Sequence, residues 1–135
     1  MTGCSEQLPS WDQARSEADA AMREVVELLP PESVVVDLTD PTPYGCAQGV
    51  MYTGHLAIDA GAGFNGSAFV DALPSRLAGS FSLEASPVPA RYPEVSLIAE
   101  EHGDASVTVG AGVDDDMHRI DILVISRCAQ TPDDS

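Results

Sequence analysis

The stretch from Ile120 to Cys128 constrains the fold more than any other part of the chain, because it is the longest strongly apolar run. Side chains alternate between the two faces of a strand, so Ile120, Ile122 and Val124 share one face. The opposite face also carries apolar residues. A strand of this kind is usually central in its sheet and covered on both sides. We therefore predict a central strand here, covered on both faces and ending at a cysteine.

The chain has three cysteines, so one is left over if the other two pair. Cys4 stands in Thr2-Gly3-Cys4-Ser5. This short sequence resembles the end of a bacterial lipobox, in which a small residue and a glycine precede the lipid-bearing cysteine. The resemblance implies that Cys4 is lipidated, and it accounts for the odd thiol.

Cys46 and Cys128 then remain as partners in a disulfide, which is typical of an oxidising compartment. Such a bond requires Cα atoms within about 7 Å of each other. It predicts that the last strand lies antiparallel to the second predicted strand and beside it. Two alternatives stay open: free thiols in an intracellular protein, and a metal site, for which two cysteines without a nearby histidine are a poor ligand set.

Apolar periodicity predicts the order of elements along the chain. Three- and four-residue steps indicate a helix from Trp11, capped by Ser10 with Gln13 completing a capping box, and stopped at Pro30-Pro31. A second helix is predicted with Ser67 as its N-cap, kinked or split at its internal proline. Runs rich in β-branched residues predict strands at residues 33–39, 50–59, 81–86, 94–101 and 105–113, followed by the final strand.

This order, α-β-β-α-β-β-β-β, predicts an α+β fold: a mainly antiparallel sheet of five to six strands with two helices packed on it. The last three strands have short connections and should form an antiparallel meander. We assign residues 1–10 to an N-terminal tether that carries Cys4, residues 11–130 to a single α+β domain, and residues 131–135 to a polar tail.

The charge balance excludes several classes of partner. The chain has 22 acidic and 6 basic residues, for a net charge of −16. A chain without a basic stripe is not expected to bind nucleic acid, and its folded body should not adsorb to anionic lipid. Membrane contact is therefore predicted only through a lipid on Cys4. The charge either keeps the protein soluble or provides an acidic surface for a basic partner.

No motif predicts a catalytic residue, a metal ligand or a cofactor. The segment Gly61-Ala-Gly-Phe-Asn-Gly66 matches G-x-G-x-x-G, with Glu84 near the position of a ribose-binding acid. We interpret it as a flexible turn, because the predicted helix starts after its last glycine and a meander follows. The acidic segments 100–104 and 114–116, the latter followed by His118, are interpreted as solvated turns. The alternatives are an acid/base or metal cluster at residues 100–104 and a divalent-cation site formed by residues 114–116 with His118.

Two tyrosines are candidate partner contacts. Tyr44 and Tyr92 stand in proline-rich segments that we predict to be loops, and loop aromatics often contact partners. Packing of these rings over the base of their own loops is the alternative.

Taken together, these segments resemble small secreted lipoproteins of high-GC actinobacteria. The features are Thr2-Gly3-Cys4-Ser5, a first helix ending in Leu28-Leu29-Pro30, the loop Tyr44-Gly45-Cys46 and the final Ser126-Arg127-Cys128. In outline the chain is similar to the mycobacterial LppA-like lipoproteins. The resemblance implies an envelope location, on the outer face of the cytoplasmic membrane, and a helix-plus-sheet fold, without an enzyme activity.

We therefore expect a non-catalytic cell-envelope lipoprotein domain that binds a protein partner or a small ligand outside the cytoplasm. An acidic inhibitor or immunity-type protein that masks a basic target is the alternative. A small nucleotide-binding enzyme that uses the glycine-rich turn is a third hypothesis.

Overall fold

A computed structural model describes residues 8–40, 42–84, 93–112 and 118–132. The fold is α+β, with two helices and a mainly antiparallel six-stranded sheet, as predicted. The helices are α1 (Trp11–Val26) and α2 (Gly66–Arg76). The strands are β1 (Val34–Asp37), β2 (Tyr44–Gly45), β3 (Val50–Met51), β4 (Thr53–Asp59), β5 (Phe81–Leu83), β6 (Glu94–Ala99), β7 (Ala105–Ala111) and β8 (Arg119–Ile125).

The main sheet has the strand order β1-β4-β8-β7-β6-β5, and every neighbouring pair is antiparallel. The predicted placement of the last strand beside the second is confirmed, because β8 pairs with β4 from Thr53↔Ile125 to Asp59↔Arg119. The predicted meander of β6, β7 and β8 is also confirmed. Strands β2 and β3 form a separate two-stranded ribbon, so the predicted strand 50–59 is divided at Tyr52.

Both helices pack on the same face of the sheet. Ile120, Ile122 and Val124 of β8 are fully buried there in one core that includes side chains from α1 and α2. The prediction that β8 is covered on both faces is wrong, since Leu123 on the opposite face is 37% exposed. An antiparallel sheet can leave one face in water, and both described helices pack on the other face of this sheet.

Helix α1 begins at Trp11, as the sequence predicts, and ends at Val26, slightly before the predicted stop at Pro30. The Ser10 hydroxyl accepts a hydrogen bond from the backbone N–H of Gln13 at 3.1 Å, which is the expected N-cap. The Gln13 side chain does not complete a capping box, because it donates to Glu17 at 3.3 Å. The predicted apolar stripe is confirmed by five buried residues of the helix: Ala14, Ala18, Ala21, Met22 and Val25.

The N-cap of helix α2 lies two residues earlier than predicted. Asn65, not Ser67, is the N-cap, and its side-chain oxygen accepts from the N–H of Ala68 at 3.0 Å. The prediction was wrong because a carboxamide and a hydroxyl cap equally well and both residues were available. Pro74 does not split the helix, and the next turn closes through the N–H of Leu77 and the carbonyl of Leu73 at 2.9 Å.

Residues 126–130, which we call the closing segment, attach β8 to the start of the chain and to the loop before β3. Cys128 forms a disulfide with Cys46, with Cα atoms 6.1 Å apart, as the predicted pairing requires. Arg127 makes two hydrogen bonds to the Glu17 carboxylate, at 2.9 and 2.8 Å. Gln130 donates to the carbonyls of Leu8 and Pro9, each at 2.9 Å.

The closing segment also pairs with β3 at one close backbone approach. Val50 and Ala129 exchange two backbone hydrogen bonds, of 2.9 and 2.7 Å. Gly49 lies directly beside this bridge, where an added Cβ would overlap the carbonyl oxygen of Ala129. Only glycine at position 49 lets the backbone lie this close to Ala129 without a shift of either segment.

We therefore predict that Gly49→Ala lowers the free energy of unfolding by about 1–3 kcal/mol, as in other overpacked sites. Gly45→Ala is the matched control, because a Cβ at Gly45 meets no atom within 4 Å. Urea denaturation under non-reducing conditions measures both variants. Equal stabilities for the two variants would show that the approach at Gly49 is not tight.

Candidate functional site

The most exposed apolar surface among the described residues is at one edge of the sheet. We call it the edge surface and define it as β1 together with Leu38. Val34 is 62% exposed, Val36 50%, Leu38 48% and Val35 44%. Four of the seven large hydrophobic residues recorded as exposed therefore lie within five consecutive positions. A contiguous exposed apolar patch is typical of a protein–protein interaction site.

Backbone geometry shows which groups of this strand remain unpaired by the sheet. β1 pairs only with β4, and the N–H of Leu38 donates to the carbonyl of His55 at 2.9 Å. Backbone groups alternate in direction along an antiparallel strand. The N–H and C=O groups of Val34, Val36 and Leu38 therefore point towards β4. The N–H and C=O groups of Val35 and Asp37 therefore point away from the sheet, towards the free edge.

A groove of about 440 Å³ lies on the helix side of the edge surface. We call it the helix-side groove. Its lining is rich in charged and polar groups from α1, from β1 and the residues after it, and from the residue between β3 and β4: Arg15, Asp19, Arg23, Asp37, Thr39 and Tyr52. Its volume is in the range of small-ligand and side-chain pockets, and it is open along β1.

Tyr52 holds one wall of the helix-side groove in place. Its hydroxyl donates to Asp19 at 3.0 Å, and the Arg15 guanidinium lies over its ring, 5.5 Å from the ring centre. Trp11 contacts the same ring edge-on, with ring centres 5.9 Å apart. Burial, assisted by the Asp19 carboxylate, raises the pKa of Tyr52, so the phenol stays neutral and serves as a hydrogen-bond donor.

Asp37 supplies negative charge at the junction of the edge surface and the helix-side groove. Its carboxylate accepts from the backbone N–H of Thr39 at 2.9 Å, and hydrogen bonding by Thr39 lowers the pKa of Asp37. The Thr39 hydroxyl in turn accepts from the N–H of His55 at 3.1 Å. These bonds fix the end of β1, and Asp37 is ionised at neutral pH.

A second groove, of about 460 Å³, lies on the opposite side of β1, on the face of the sheet away from the helices. We call it the open-face groove. Val34, Val36 and Ala57 form its apolar part. Asp59 and His118 border it, with 3.7 Å between the His118 Nε2 and an Asp59 oxygen. The edge surface thus has one groove on each side, and alternate residues of β1 line them.

The structure separates the residues that the sequence singled out. Tyr44 lies on β2 and is 52% exposed, which is compatible with a partner contact. Cys46 and Cys128 form the disulfide of the closing segment and face no groove described above. Cys4, Tyr92 and the acidic segment 114–116 lie outside the described residues.

On the open face, Asp121 lies between a histidine and an arginine. His55 Nε2 lies 3.6 Å from Asp121, which also accepts from Arg119 at 3.2 Å. Thr108 carries a hydroxyl on the same face, but Leu123 lies between it and His55. Two strand spacings separate the two residues by about 9–10 Å, well beyond the hydrogen-bond reach of a nucleophile and its base.

Within the described ranges, no group of three or more histidine, cysteine, aspartate and glutamate side chains is arranged to hold a metal ion. The turn at residues 100–104 instead attaches to α1, because His102 hydrogen-bonds to Glu24. Gly103 lies against the Glu17 carboxylate, where a Cβ would overlap it.

The glycine-rich motif forms a turn that leads directly into α2. Gly66 is the first residue of α2, so the last glycine does lie in the opening turn of the helix. The surrounding strands nevertheless differ from those of a dinucleotide-binding unit. β4 has antiparallel neighbours on both sides, and α2 leads to β5 at the opposite edge of the sheet. A dinucleotide site requires adjacent parallel strands, which this sheet does not have.

Sequence reasoning missed the edge surface, although residues 33–39 were predicted to be a strand. Three consecutive valines indicate a buried strand as readily as an exposed one. The acidic residues around them were the available signal: Glu32, Asp37 and Asp40 flank the run, and all three are exposed.

Comparisons with protein-family models, with curated proteins and with solved structures find no match for this chain. In the part of the chain that the structure describes, no helix is long and apolar enough to cross a membrane.

The Asp37–Thr39 hydrogen bonds predict a pH dependence. We expect Asp37 to titrate below the ordinary carboxyl value of 3.8, and Thr39→Val to raise its pKa towards that value. A lowered pKa contributes stability above the unfolded-state pKa, and this contribution is lost as the pH falls through the folded-state pKa. Carboxyl-carbon NMR titration measures the shift.

Thr42→Val is the matched control for this titration. Thr42 lowers the pKa of Asp40 in the same way, through its backbone N–H at 3.0 Å and its side chain. The control variant should therefore change Asp40 and leave Asp37 unaffected. An Asp37 titration at or above 3.8 in the unaltered protein would contradict the assignment.

Proposed function

We propose that this chain is the non-catalytic domain of an extracytoplasmic lipoprotein and that it binds a protein partner through the edge surface. The observation that carries the binding function is the concentration of exposed apolar side chains in residues 34–38. A disulfide that joins the closing segment to the loop before β3 supports a location in an oxidising compartment. The lipobox-like residues around Cys4 support anchoring through a lipid.

The shape of the surface favours a protein over a small molecule as the ligand. Each groove is open to solvent, and Val34 and Val36, which line the open-face groove, are both at least half exposed. Ligand pockets usually enclose most of a small molecule. An exposed strand with an open groove on each side instead fits the side chains of a larger partner.

The acidic residues around β1 favour a second candidate, in which the same surface masks a basic target as an inhibitor or immunity-type protein does. Glu32, Asp37, Asp40 and Asp59 are all exposed close to the edge surface or within it. The two candidates differ in the consequence of binding. Inhibition of a purified partner enzyme supports masking, whereas unchanged partner activity supports an adaptor.

Photo-cross-linking in cells tests the edge surface. With p-benzoylphenylalanine in place of Val36, we expect one discrete adduct in the envelope fraction, because this side chain is half exposed beside the open-face groove. The same replacement of Leu83, an exposed residue on the opposite edge strand, is the control and should give no such adduct. Equal adducts at both positions would refute a specific edge surface.

Binding of the partner identified in this way is then measured by calorimetry. We expect the double variant Val34→Thr/Val36→Thr to bind about tenfold more weakly, because it replaces by hydroxyls two methyl groups that the partner would cover. Leu83→Thr should leave the affinity unchanged. An unaltered affinity in the double variant would contradict the proposal.

The lipid anchor is tested separately, with the gene expressed from its own locus. We expect Cys4→Ser to abolish labelling by an alkynyl fatty acid and to move the protein from the membrane fraction to the soluble fraction, since acylation provides the membrane affinity. Ser5→Ala is the control and should keep both properties. Membrane recovery of Cys4→Ser equal to that of the unaltered protein would refute the anchor.

A further inference from the structure

We propose that β1 accepts an extended, cationic segment of the partner protein as an additional strand of the sheet. This inference rests on the partner-binding function proposed above and specifies its mode. In strand addition, main-chain hydrogen bonds provide affinity and pockets for alternate side chains provide specificity. The edge surface has the features required for both.

The main-chain requirement is met by the outward backbone groups of β1. Val35 and Asp37 together present two N–H donors and two C=O acceptors that the pairing with β4 does not use. An extended segment placed beside β1 can pair with all four groups. Such an exposed edge is a template for another strand unless the protein blocks it.

The side-chain requirement is met by the two grooves. Side chains of an added strand alternate between the two faces of the sheet. Those on the helix side would enter the helix-side groove beside Asp37, and those on the other side would enter the open-face groove beside Val34 and Val36. Recognition would therefore depend on a pattern of period two in the partner segment.

Charge along the strand itself favours a cationic segment. Residues 32–40 contain Glu32, Asp37 and Asp40 and no basic residue, and the chain as a whole carries a net charge of −16. The flanking grooves are mixed in sign, because Arg15 and Arg23 line the helix-side groove and Arg119 lines the open-face groove. Asp59 adds a carboxylate opposite Val34. A segment that alternates apolar and basic residues would complement both the exposed valines of β1 and these carboxylates.

The same charges argue against a second copy of this chain as the occupant. Pairing β1 with β1 of another copy would bring two sets of these carboxylates together, between two bodies that each carry a charge of −16. Like charges placed opposite each other across strands destabilise the pairing.

The experiment uses synthetic peptides and the complete chain. The probe is a fluorescein-labelled peptide of about eight residues that alternates valine and lysine, long enough to form a strand. One control peptide alternates valine and glutamate. A second control is the valine–lysine peptide with alternate backbone amides N-methylated, which removes donors without changing its charge. Fluorescence anisotropy measures binding, at two salt concentrations.

Val35→Pro tests the main-chain contact on the protein. The Val35 N–H points away from β4, so proline removes an outward donor without removing a bond within the sheet. Leu83→Pro is the matched control on the other edge strand. The backbone N–H of Glu84 donates to the carbonyl of Ser96 at 2.9 Å, towards β6. Because backbone groups alternate in direction, the N–H of Leu83 points away from β6. Circular dichroism and thermal unfolding compare the folds of the two variants.

We expect the valine–lysine peptide to bind, with an affinity that falls as salt rises. Val35→Pro should weaken binding about tenfold or more, as the lost bond and the added ring act together, whereas Leu83→Pro should not. The two control peptides should bind far more weakly. If Val35→Pro does not fold, the N-methylated peptide still tests the main-chain contact on the unaltered protein.

Several outcomes would overturn strand addition by a cationic segment: failure of the valine–lysine peptide to bind, equal binding of either control peptide, or equal binding by a folded Val35→Pro. A dimer in light scattering that Val35→Pro abolishes would assign the edge to a second copy instead. If Val35→Pro retains the cross-linked partner while Val34→Thr/Val36→Thr weakens it, strand addition fails and partner binding stands. If p-benzoylphenylalanine at position 36 gives no adduct, or the same adducts as at position 83, partner binding through the edge surface is itself refuted.

Discussion

The attachment of the closing segment to three distant parts of the chain is the constraint on which the remaining structure depends. β8 is buried along one face by Ile120, Ile122 and Val124, and the residues after it continue into the disulfide, the Val50–Ala129 bridge and the Arg127–Glu17 ion pair. The disulfide spans 82 positions, and closing a loop of that length removes about 4–5 kcal/mol of conformational entropy from the unfolded chain. This contribution is large compared with the total stability of about 5–15 kcal/mol that is typical of a domain.

The same arrangement determines which edge of the sheet is available for binding. Because β8 lies between β4 and β7, the chain's first strand can join only on the outer side of β4 and becomes an edge strand. The helices pack over the central strands, and Ile58 on the helix face of β4 is buried, whereas every residue of β1 is exposed. The edge surface therefore follows from the topology. Because β8 occupies the inner side of β4, β1 takes the outer side, and no described helix covers it there.

Much of this architecture could be predicted from the sequence, and the failures have identifiable physical causes. The pattern of cysteines predicted the neighbour and direction of β8, and Ser10 predicted the start of α1, because a disulfide and a helix cap each require particular residue types with few alternatives. The covering of β8 on both faces could not be predicted correctly, since Leu123 is apolar in either case and its exposure depends on where the helices pack. The edge surface was missed for the same reason, because Val34, Val35 and Val36 suit a buried strand and an exposed one equally well. Tertiary placement, which decides between these states, is not encoded in a short run of residues.

An exposed apolar edge strand is a hazard for any protein, because it pairs with other copies as readily as with a partner. In this chain the three valines of β1 adjoin Asp37, and Asp59 lies opposite Val34. Hydrogen bonds from Thr39 lower the pKa of Asp37, so its charge persists under mildly acidic conditions. Repulsion between copies that each carry a net charge of −16 opposes self-pairing, while the same field attracts a basic segment. The charges around β1 thus oppose self-pairing, and they are compatible with the cationic partner segment that we propose. Removing the carboxylates while keeping the valines would convert a selective edge into a self-associating one.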